Sequence, residues 1–231
     1  MRLNIVGLGE VLWDLLPDGP QLGGAPANFA YHAQALGANA SVITRVGNDQ
    51  LGREIRRRFQ ERHLSVAGVQ QDEAAPTGTV SVTLASGGVP EYVIHENVAW
   101  DFITASPAAL NCVRAAQVVC FGSLAQRQVV SRQSIQHLLS STSPTAWRVL
   151  DVNLRQNFFN REVIEHSLKL ANVLKLNDHE LPIVAGMFSV GGGIRNQRIR
   201  LSQRDIRSQI FHCCIFHLSL VASRTLSGQS G

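Results

Sequence analysis

The sequence predicts an α/β fold built on a mostly parallel sheet. Short apolar runs have the length and β-branched content of buried strands, and they recur at 3–9, 40–46, 118–121, 148–152 and 173–176. Helical patterns stand between some of these runs, as at 50–62 and 128–139. Alternation of buried strands with helices is the pattern of an α/β sheet, and 231 residues can bury one large core.

The first apolar run ends in Gly7-Leu8-Gly9, which resembles the start of a dinucleotide-binding loop. Leu12 stands where the third glycine of G-x-G-x-x-G is required, and no helix is predicted there. We therefore exclude a Rossmann cofactor site. Residues 11–16 are predicted to continue as an extended segment that ends in a turn at 17–20, and Asp14 lies on this segment among apolar residues.

The segment 22–52 carries the strongest local signals in the chain. Gly23 and Gly24 leave room for a ligand or another backbone, and Pro26 suits the first turn of a helix. Gly37 is a favourable residue to end that helix. Two interpretations stay open at this point, because a ligand-binding turn and a tightly packed helix start share this pattern.

Asn28 falls in the first turn of this predicted helix, near backbone N–H groups that have no partner within the helix. Its carboxamide can both donate to and accept from a polyhydroxylated ligand. The apolar spacing of the helix predicts a buried stripe of Phe29, Ala33 and Leu36. In the next helix Asp49 is the predicted N-cap, and the predicted buried stripe consists of Leu51, Ile55 and Phe59.

Two segments alternate with the period of a strand, at 79–85 and 92–95, and glycine and proline lie between them. They predict a hairpin. Together with the extended segment at 11–16, this hairpin is expected to form a small sheet beside the main one.

Polar residues follow two of the later strands. Asp151, Asn153 and Arg155 stand at the carboxyl end of a predicted parallel strand, where open α/β sheets bind their ligands. The Arg155 guanidinium suits an anion, although a salt-bridged loop explains the pattern as well. Asn177 and Glu180 open the last predicted helix with the spacing of a capping box.

These motifs together resemble the ribokinase family, also called the PfkB carbohydrate kinases. The resemblance rests on Gly23-Gly24-Ala25-Pro26-Ala27-Asn28, on Leu36-Gly37 and on residues 46–52, and it runs from about residue 3 to about residue 185. The segment Gly9-Glu10-Val11-Leu12-Trp13-Asp14 and the Asp-x-Asn-x-Arg motif are similar to the fructokinase branch. The resemblance implies a three-layer αβα fold with a mostly parallel sheet and a small β-sheet lid over the sugar.

The resemblance also implies roles for individual residues. It implies ATP-dependent phosphorylation of a sugar, with a furanose or a related sugar as acceptor. Substrate-binding positions would be Asp14, Gly23, Gly24, Asn28, Asn153 and Arg155. Asp14 and Asn28 are expected to face one cavity, with the Gly23-Gly24 backbone between them. Asn177 and Glu180 would be associated with phosphate and with magnesium, which keeps much of its hydration and needs no direct protein ligand here. The lid sheet is often a dimer surface in this family, so a homodimer is expected there.

Members of the family carry a Gly-Ala-Gly-Asp segment that supplies the catalytic base, an anion hole and part of the nucleotide site. The 231 residues contain no such segment. We therefore expect a sugar-kinase-like domain at 1–186, truncated at its C-terminus, and an atypical tail at 187–231 that leaves nucleotide binding doubtful. Cys213 and Cys214 have no place in the predicted strand-and-helix pattern, and residues after about Gly191 are expected to pack poorly against the main domain. The expected function is an impaired or inactive sugar kinase, and the alternative is a non-catalytic sugar-binding remnant or regulatory protein.

Composition limits the other classes of function. Hydrophobic residues make up 45% of the chain and charged residues 16%, which excludes wholesale disorder. The tail carries six arginines and one aspartate, so contact with nucleic acid is a third hypothesis, and it rests on charge alone. The four cysteines lack C-x-x-C spacing, and the sequence shows neither a signal-peptide pattern nor a long apolar stretch. These features predict a cytoplasmic protein with no membrane span.

Overall fold

A seven-stranded parallel sheet forms the centre of the protein. The computed structural model describes residues 2–84, 90–189 and 212–214. The strands of this sheet are β1 (Asn4–Leu8), β4 (Asn39–Gly47), β5 (Val69–Asp72), β8 (Val118–Gly122), β9 (Trp147–Asp151), β10 (Val173–Lys175) and β11 (His212–Cys214). Their order is β11-β10-β9-β8-β1-β4-β5, and each neighbouring pair is parallel. This arrangement confirms the predicted α/β fold.

A second, mixed sheet of four strands lies beside the first. It consists of β2 (Leu12–Leu16), β3 (Gly19–Gly23), β6 (Thr79–Leu84) and β7 (Pro90–Ile94), in the order β3-β2-β6-β7. The predicted hairpin and the predicted strand at 11–16 are confirmed, with residue 85 outside the described part of the chain. Strand β3 was not predicted. It pairs antiparallel with β2 across the turn that the sequence did predict.

Helices cover both faces of the main sheet. They are α1 (Ala25–Ala35), α2 (Gln50–Glu61), α3 (Pro107–Ala115), α4 (Val129–Ser140), α5 (Arg161–Leu170) and α6 (Glu180–Met187). One core cluster contains buried residues of α1 and α2, and another contains buried residues of α3 to α6. Val42 belongs to the first cluster and Ile43 to the second. Because consecutive strand residues point to opposite faces, the sheet is the middle layer of three.

The helix predicted after Gly24 is confirmed, but its predicted buried stripe is wrong. Leu36 is 89% exposed, and the buried residues of α1 are instead Pro26, Ala27 and Ala30. The N-terminal half of α1 packs closely on the main sheet, and only small side chains fit there. In α2 the expected N-cap is found, because Asp49 accepts the Gly52 N–H at 2.7 Å. Of the expected stripe, Ile55 and Phe59 are buried and Leu51 is half-buried.

One expectation about the tail is also wrong. Cys213 and Cys214 were expected to have no place in an α/β sheet, yet β11 pairs parallel with β10. Strand β10 leaves a row of N–H and C=O groups on its outer side, and any short extended segment can satisfy them. The other residues beyond 189 lie outside the described part of the chain. The expectation that this segment packs poorly falls on those residues and stays a prediction. The division at residue 186 stays a prediction.

The start of α1 is docked directly on the segment that follows β1. A side chain at Gly7 would overlap the Pro26 carbonyl group. A Cβ on Gly24 would lie 2.5 Å from the Glu10 carbonyl oxygen, and Gly24 has a φ of +110°, which disfavours other residues. Since Gly24 is the N-cap and offers no side chain, Glu10 takes over the capping role: its Oε1 accepts the Ala25 N–H at 3.2 Å.

This capping carboxyl is almost fully buried, with 1% of Glu10 exposed. Burial raises the pKa of Glu10 to about 7, although hydrogen bonds from its own N–H and from the Ala25 N–H act in the opposite direction. The protonated form is therefore favoured in the folded protein relative to the unfolded chain. The stability that this gives is complete below a pH of about 4.5 and is lost as the pH rises through about 7.

We expect Glu10→Gln to remove this pH dependence, because glutamine keeps an acceptor oxygen and cannot ionise. Between a pH of about 5 and about 8, the unmodified chain should lose about 2–3 kcal/mol of unfolding free energy relative to the variant. Urea unfolding of both proteins at the two pH values measures this difference. Glu96→Gln, at an exposed loop position, is the control and should follow the unmodified chain. Identical pH dependence in Glu10→Gln and the unmodified chain would contradict the assignment.

Candidate functional site

The carboxyl ends of three parallel strands, β1, β9 and β10, bring a group of charged residues to one edge of the main sheet. Glu10 follows β1, Asp151 ends β9, and Lys175 ends β10. The Lys175 Nζ atom lies 2.8 Å from both carboxylate oxygens of Asp151. Asp151 and Arg155 both act electrostatically on Glu10, which places all four residues in one neighbourhood. Open α/β sheets bind their ligands at this edge.

Asp14 reaches this neighbourhood from the small sheet. It lies on β2 opposite Gln21 of β3, and a Cβ added to Gly23 would lie 2.5 Å from its Oδ2 atom. Glycine at position 23 thus leaves room for the carboxylate. Partial burial raises the pKa of Asp14, and the Arg155 guanidinium acts in the opposite direction. The structure therefore brings together Asp14, Gly23, Gly24 and Arg155.

The loop after β9 carries Asn153 and Arg155 in an unusual backbone conformation. Asn153 has a φ of +43° and Gln156 a φ of +45°, values that non-glycine residues adopt at some cost. The Gln156 side chain donates a hydrogen bond to the Tyr92 carbonyl oxygen of β7, so this loop contacts the small sheet. Arg155 is exposed and forms no ion pair with the described residues. The alternative of a salt-bridged loop therefore finds no support at Arg155 in residues 2–84 and 90–189.

Asn177 and Glu180 make the reciprocal hydrogen bonds of a capping box at the start of α6. The Asn177 Oδ1 atom accepts the Glu180 N–H at 2.9 Å, and the Glu180 Oε2 atom accepts the Asn177 N–H at 2.9 Å. The other oxygen of the buried Glu180 accepts the Leu154 N–H at 3.1 Å. The capping interpretation is confirmed. Glu180 also fixes the loop that carries Asn153 and Arg155, while the association with magnesium stays a prediction.

Asn28 lies on a different surface from Asp14. It is exposed and lines a cleft between α1 and α2 with residues that include Tyr31 and Arg58. Asp14 is not among the residues that line this cleft. Arg58 stacks on Trp13, and Trp13 and Asp14 point to opposite faces of β2 because they are consecutive. The expectation that Asp14 and Asn28 share one cavity is not confirmed.

Sequence reasoning missed two members of the edge group. Glu10 was noted only as part of a motif, and Lys175 was not noted at all. A signal for Lys175 was available, because it ends a predicted parallel strand, as Asp151 does one strand away. The burial of Glu10 could not be inferred, because it depends on how α1 docks.

Two absences among the described residues bear on the site. No group of three or more His, Cys, Asp or Glu side chains there is arranged to hold a metal ion. None of the described helices is long and apolar enough to cross a bilayer.

Comparison with known proteins relates this chain to sugar kinases. The chain is 29% identical over 194 residues to a putative sugar kinase of Pyrococcus horikoshii. The aligned region covers 77% of this chain and 62% of that protein. It is 30% identical over 211 residues to a fructokinase of Klebsiella pneumoniae. This second aligned region covers 87% of this chain and 68% of that protein. The chain thus spans about two thirds of the length of these relatives.

Solved structures agree with the sequence comparison. The sugar kinase of Pyrococcus horikoshii in complex with ATP superimposes with a TM-score of 0.72 over 80% of this chain and 66% of that chain, at 29% identity. A fructokinase of Vibrio cholerae O395 bound to fructose, ADP and calcium ion superimposes with a TM-score of 0.71 over 87% of this chain and 68% of that chain, at 21% identity. The second likeness shows the fold, and the ribokinase-like architecture expected from the sequence is confirmed.

The sequence pattern of the pfkB family carbohydrate kinases matches residues 20–199, which is most of the chain. Together with the kinase relatives and the shared architecture, this match shows that the chain belongs to the pfkB family of carbohydrate kinases.

Proposed function

We propose that this chain forms the sugar-binding side of a fructokinase-like kinase, in which a sugar hydroxyl accepts the γ-phosphoryl group of ATP. The observation that carries the proposal is the electrostatic interaction of Asp14, on the small sheet, with Arg155, at the edge of the main sheet. The fructose bound to the Vibrio cholerae fructokinase and the ATP bound to the Pyrococcus horikoshii sugar kinase support these two ligand classes.

Each proposed sugar contact has a chemical reason. The Asp14 carboxylate can accept hydrogen bonds from neighbouring hydroxyl groups of a sugar, because each of its oxygens takes more than one donor. The Gly23 and Gly24 backbone groups can approach the ligand closely. Asn153 and Arg155 would line the other side, where the guanidinium favours an anionic group. Asn28 is the least supported of these contacts, because it lines the cleft between α1 and α2.

ATP would supply the phosphoryl group, and magnesium would neutralise the charge that develops during transfer. Asn177 and Glu180 fit an indirect role toward these groups. Both Glu180 oxygens already accept backbone N–H groups, so a contact with hydrated magnesium would pass through water. Lys175 offers an ammonium group at the same edge of the sheet, where its charge is balanced by Asp151.

The small sheet would cover the sugar and exclude water from the site. Leu12, Val80 and Ile94, on the same face as Asp14, belong to the core cluster shared with the main sheet. The contact between Gln156 and the Tyr92 carbonyl oxygen holds the loop of Arg155 against this sheet. These contacts support a covering role for the small sheet next to the half-buried Asp14.

The chain of 231 residues, taken by itself, is proposed to bind sugar without phosphorylating it. Phosphoryl transfer needs a base and an anion hole positioned together with both substrates. In this family the Gly-Ala-Gly-Asp segment supplies them, and these 231 residues contain no such segment.

A homodimer through the small sheet is proposed from its outer face. Leu15, Ser81 and Val93 are cross-strand neighbours in one row on the face opposite Asp14. Leu15 is 40% exposed and Val93 is 39% exposed. A second copy of the chain would cover these apolar side chains.

Asp14→Ala should weaken fructose binding by about tenfold or more, because it removes a charged hydrogen-bond acceptor from a partly buried site. Isothermal titration with fructose measures the change. Asp18→Ala is the matched control, since Asp18 is exposed in the turn between β2 and β3. An unmodified chain that does not bind fructose, or equal affinity in the Asp14 variant, would contradict the proposed sugar site.

The purified chain should form sugar phosphate no faster than a buffer blank when it is given ATP, magnesium and fructose. A missing general base alone costs about 10²–10⁴ in rate, and a missing nucleotide site also removes substrate positioning. A coupled assay for ADP release provides the measurement. Robust turnover that disappears in Asp14→Ala would refute the proposal that the chain binds without catalysis.

The double variant Leu15→Lys/Val93→Lys should weaken self-association by about tenfold or more, because it places charges in the proposed apolar contact. Sedimentation velocity over a concentration series gives the oligomeric state. Val129→Lys, at a position of α4 that is 48% exposed, is the control. A chain that is monomeric before mutation, or a double variant that still dimerises, would rule out this interface.

A further inference from the structure

The cleft between α1 and α2 has the features of a separate ligand site. Its volume is about 190 Å³. Asn28 and Tyr31 contribute to it from α1, and Arg58 and Arg62 contribute from α2 and the residue that follows it. Leu22 and Phe59 are among its apolar lining residues. The cleft thus combines two cationic groups, two neutral hydrogen-bonding groups and an apolar wall.

Aromatic rings hold both guanidinium groups in place. The Arg58 guanidinium carbon lies 4.7 Å from the centroid of the Trp13 ring, and the Arg62 carbon lies 4.8 Å from the centroid of the Tyr31 ring. Stacking of this kind restricts a long side chain before a ligand arrives. Less conformational entropy is then lost when the ligand binds.

The charge of this cleft is only partly compensated. The Arg58 Nε atom lies 2.8 Å from a carboxylate oxygen of Glu54, so its charge is shared. Within the described part of the chain, Arg62 makes no ion pair, and no acidic residue is among those that line the cleft. The cleft therefore carries excess positive charge.

We propose that this cleft binds a phosphate group, either as the free ion or as the monoester of a small molecule. Arginine forks donate parallel hydrogen bonds to phosphate oxygens, while the Asn28 amide and the Tyr31 hydroxyl supply neutral donors. The small volume suits a single phosphate group better than a larger ligand. The wall formed by Leu22 and Phe59 provides room for an apolar part, which only a monoester would have.

The position of the cleft separates it from the proposed sugar site and also links the two. Arg58 packs against Trp13, on the face of β2 opposite Asp14, so a phosphate in the cleft does not occupy the space that Asp14 faces. Leu22 immediately precedes Gly23 and Gly24, and Asn28 lies one helical turn after them. A bound phosphate would therefore contact both sides of the turn that is proposed to hold the sugar.

Isothermal titration with sodium phosphate, and separately with glycerol 3-phosphate, tests the proposal at constant ionic strength. The unmodified chain should bind at concentrations below about 10 mM, and Arg62→Gln should weaken binding by about tenfold. Arg58→Gln should also weaken it, although this variant loses its contacts with Glu54 and Trp13 as well. Tighter binding of the ester than of the free ion would identify a monoester, and the reverse order would identify inorganic phosphate.

One control locates the binding site. Arg53→Gln removes an exposed arginine of the same helix that does not line this cleft, and it should bind phosphate as the unmodified chain does. Absence of phosphate binding by the unmodified chain, unchanged affinity in Arg62→Gln, or loss of binding in Arg53→Gln would each overturn the proposal. None of these readouts requires fructose to bind.

Discussion

The direct packing of the start of α1 on the segment after β1 is the constraint on which the site depends. It requires glycine at position 7, where any side chain would overlap the Pro26 carbonyl group, and a left-handed φ at Gly24. Gly24, the N-cap residue of α1, has no side chain that could accept a helix N–H group. The Glu10 carboxyl accepts the Ala25 N–H in its place. The same few residues thus fix the helix, place the Gly23–Gly24 turn, and bury a carboxyl group at the edge of the sheet.

That buried carboxyl has consequences for the charges around it. Glu10, Asp14 and Asp151 would repel one another if they were all ionised without partners. Lys175 pairs with Asp151, and Arg155 is close enough to lower the pKa of Glu10 and of Asp14 against the effect of burial. Burial outweighs Arg155 at both carboxyl groups. Protonation at this edge is therefore set by the fold as well as by the individual side chains.

Local patterns predicted most of the strands because their apolar runs are short and well separated. They failed where tertiary contact decides the outcome. Leu36 fits a helical stripe but is exposed, since α1 is held to the sheet through its first half. Strand β3 contains Gly19, Pro20 and Gly23, residues of low strand propensity, and it forms because β2 provides its partner. Likewise, the family resemblance implied site roles for Asp14 and Arg155, whereas their electrostatic interaction depends on how the two sheets are joined.

A buried arginine, Arg127, makes one set of contacts at the junction of the two sheets. Arg127 donates to Asp101 at 2.8 Å through Nε and through Nη2, and Nη2 also donates to the His95 carbonyl oxygen, just after β7. Its guanidinium carbon lies 4.0 Å from the centroid of the Trp100 ring and 4.6 Å from that of Phe158. Such a pair gains little stability over an apolar one, but its geometry is directional. Because Phe158 belongs to the loop that follows Arg155, Arg127 fixes the end of the small sheet and this loop relative to each other. Arg127 thereby helps to position the loop that carries Arg155 relative to the sheet that carries Asp14.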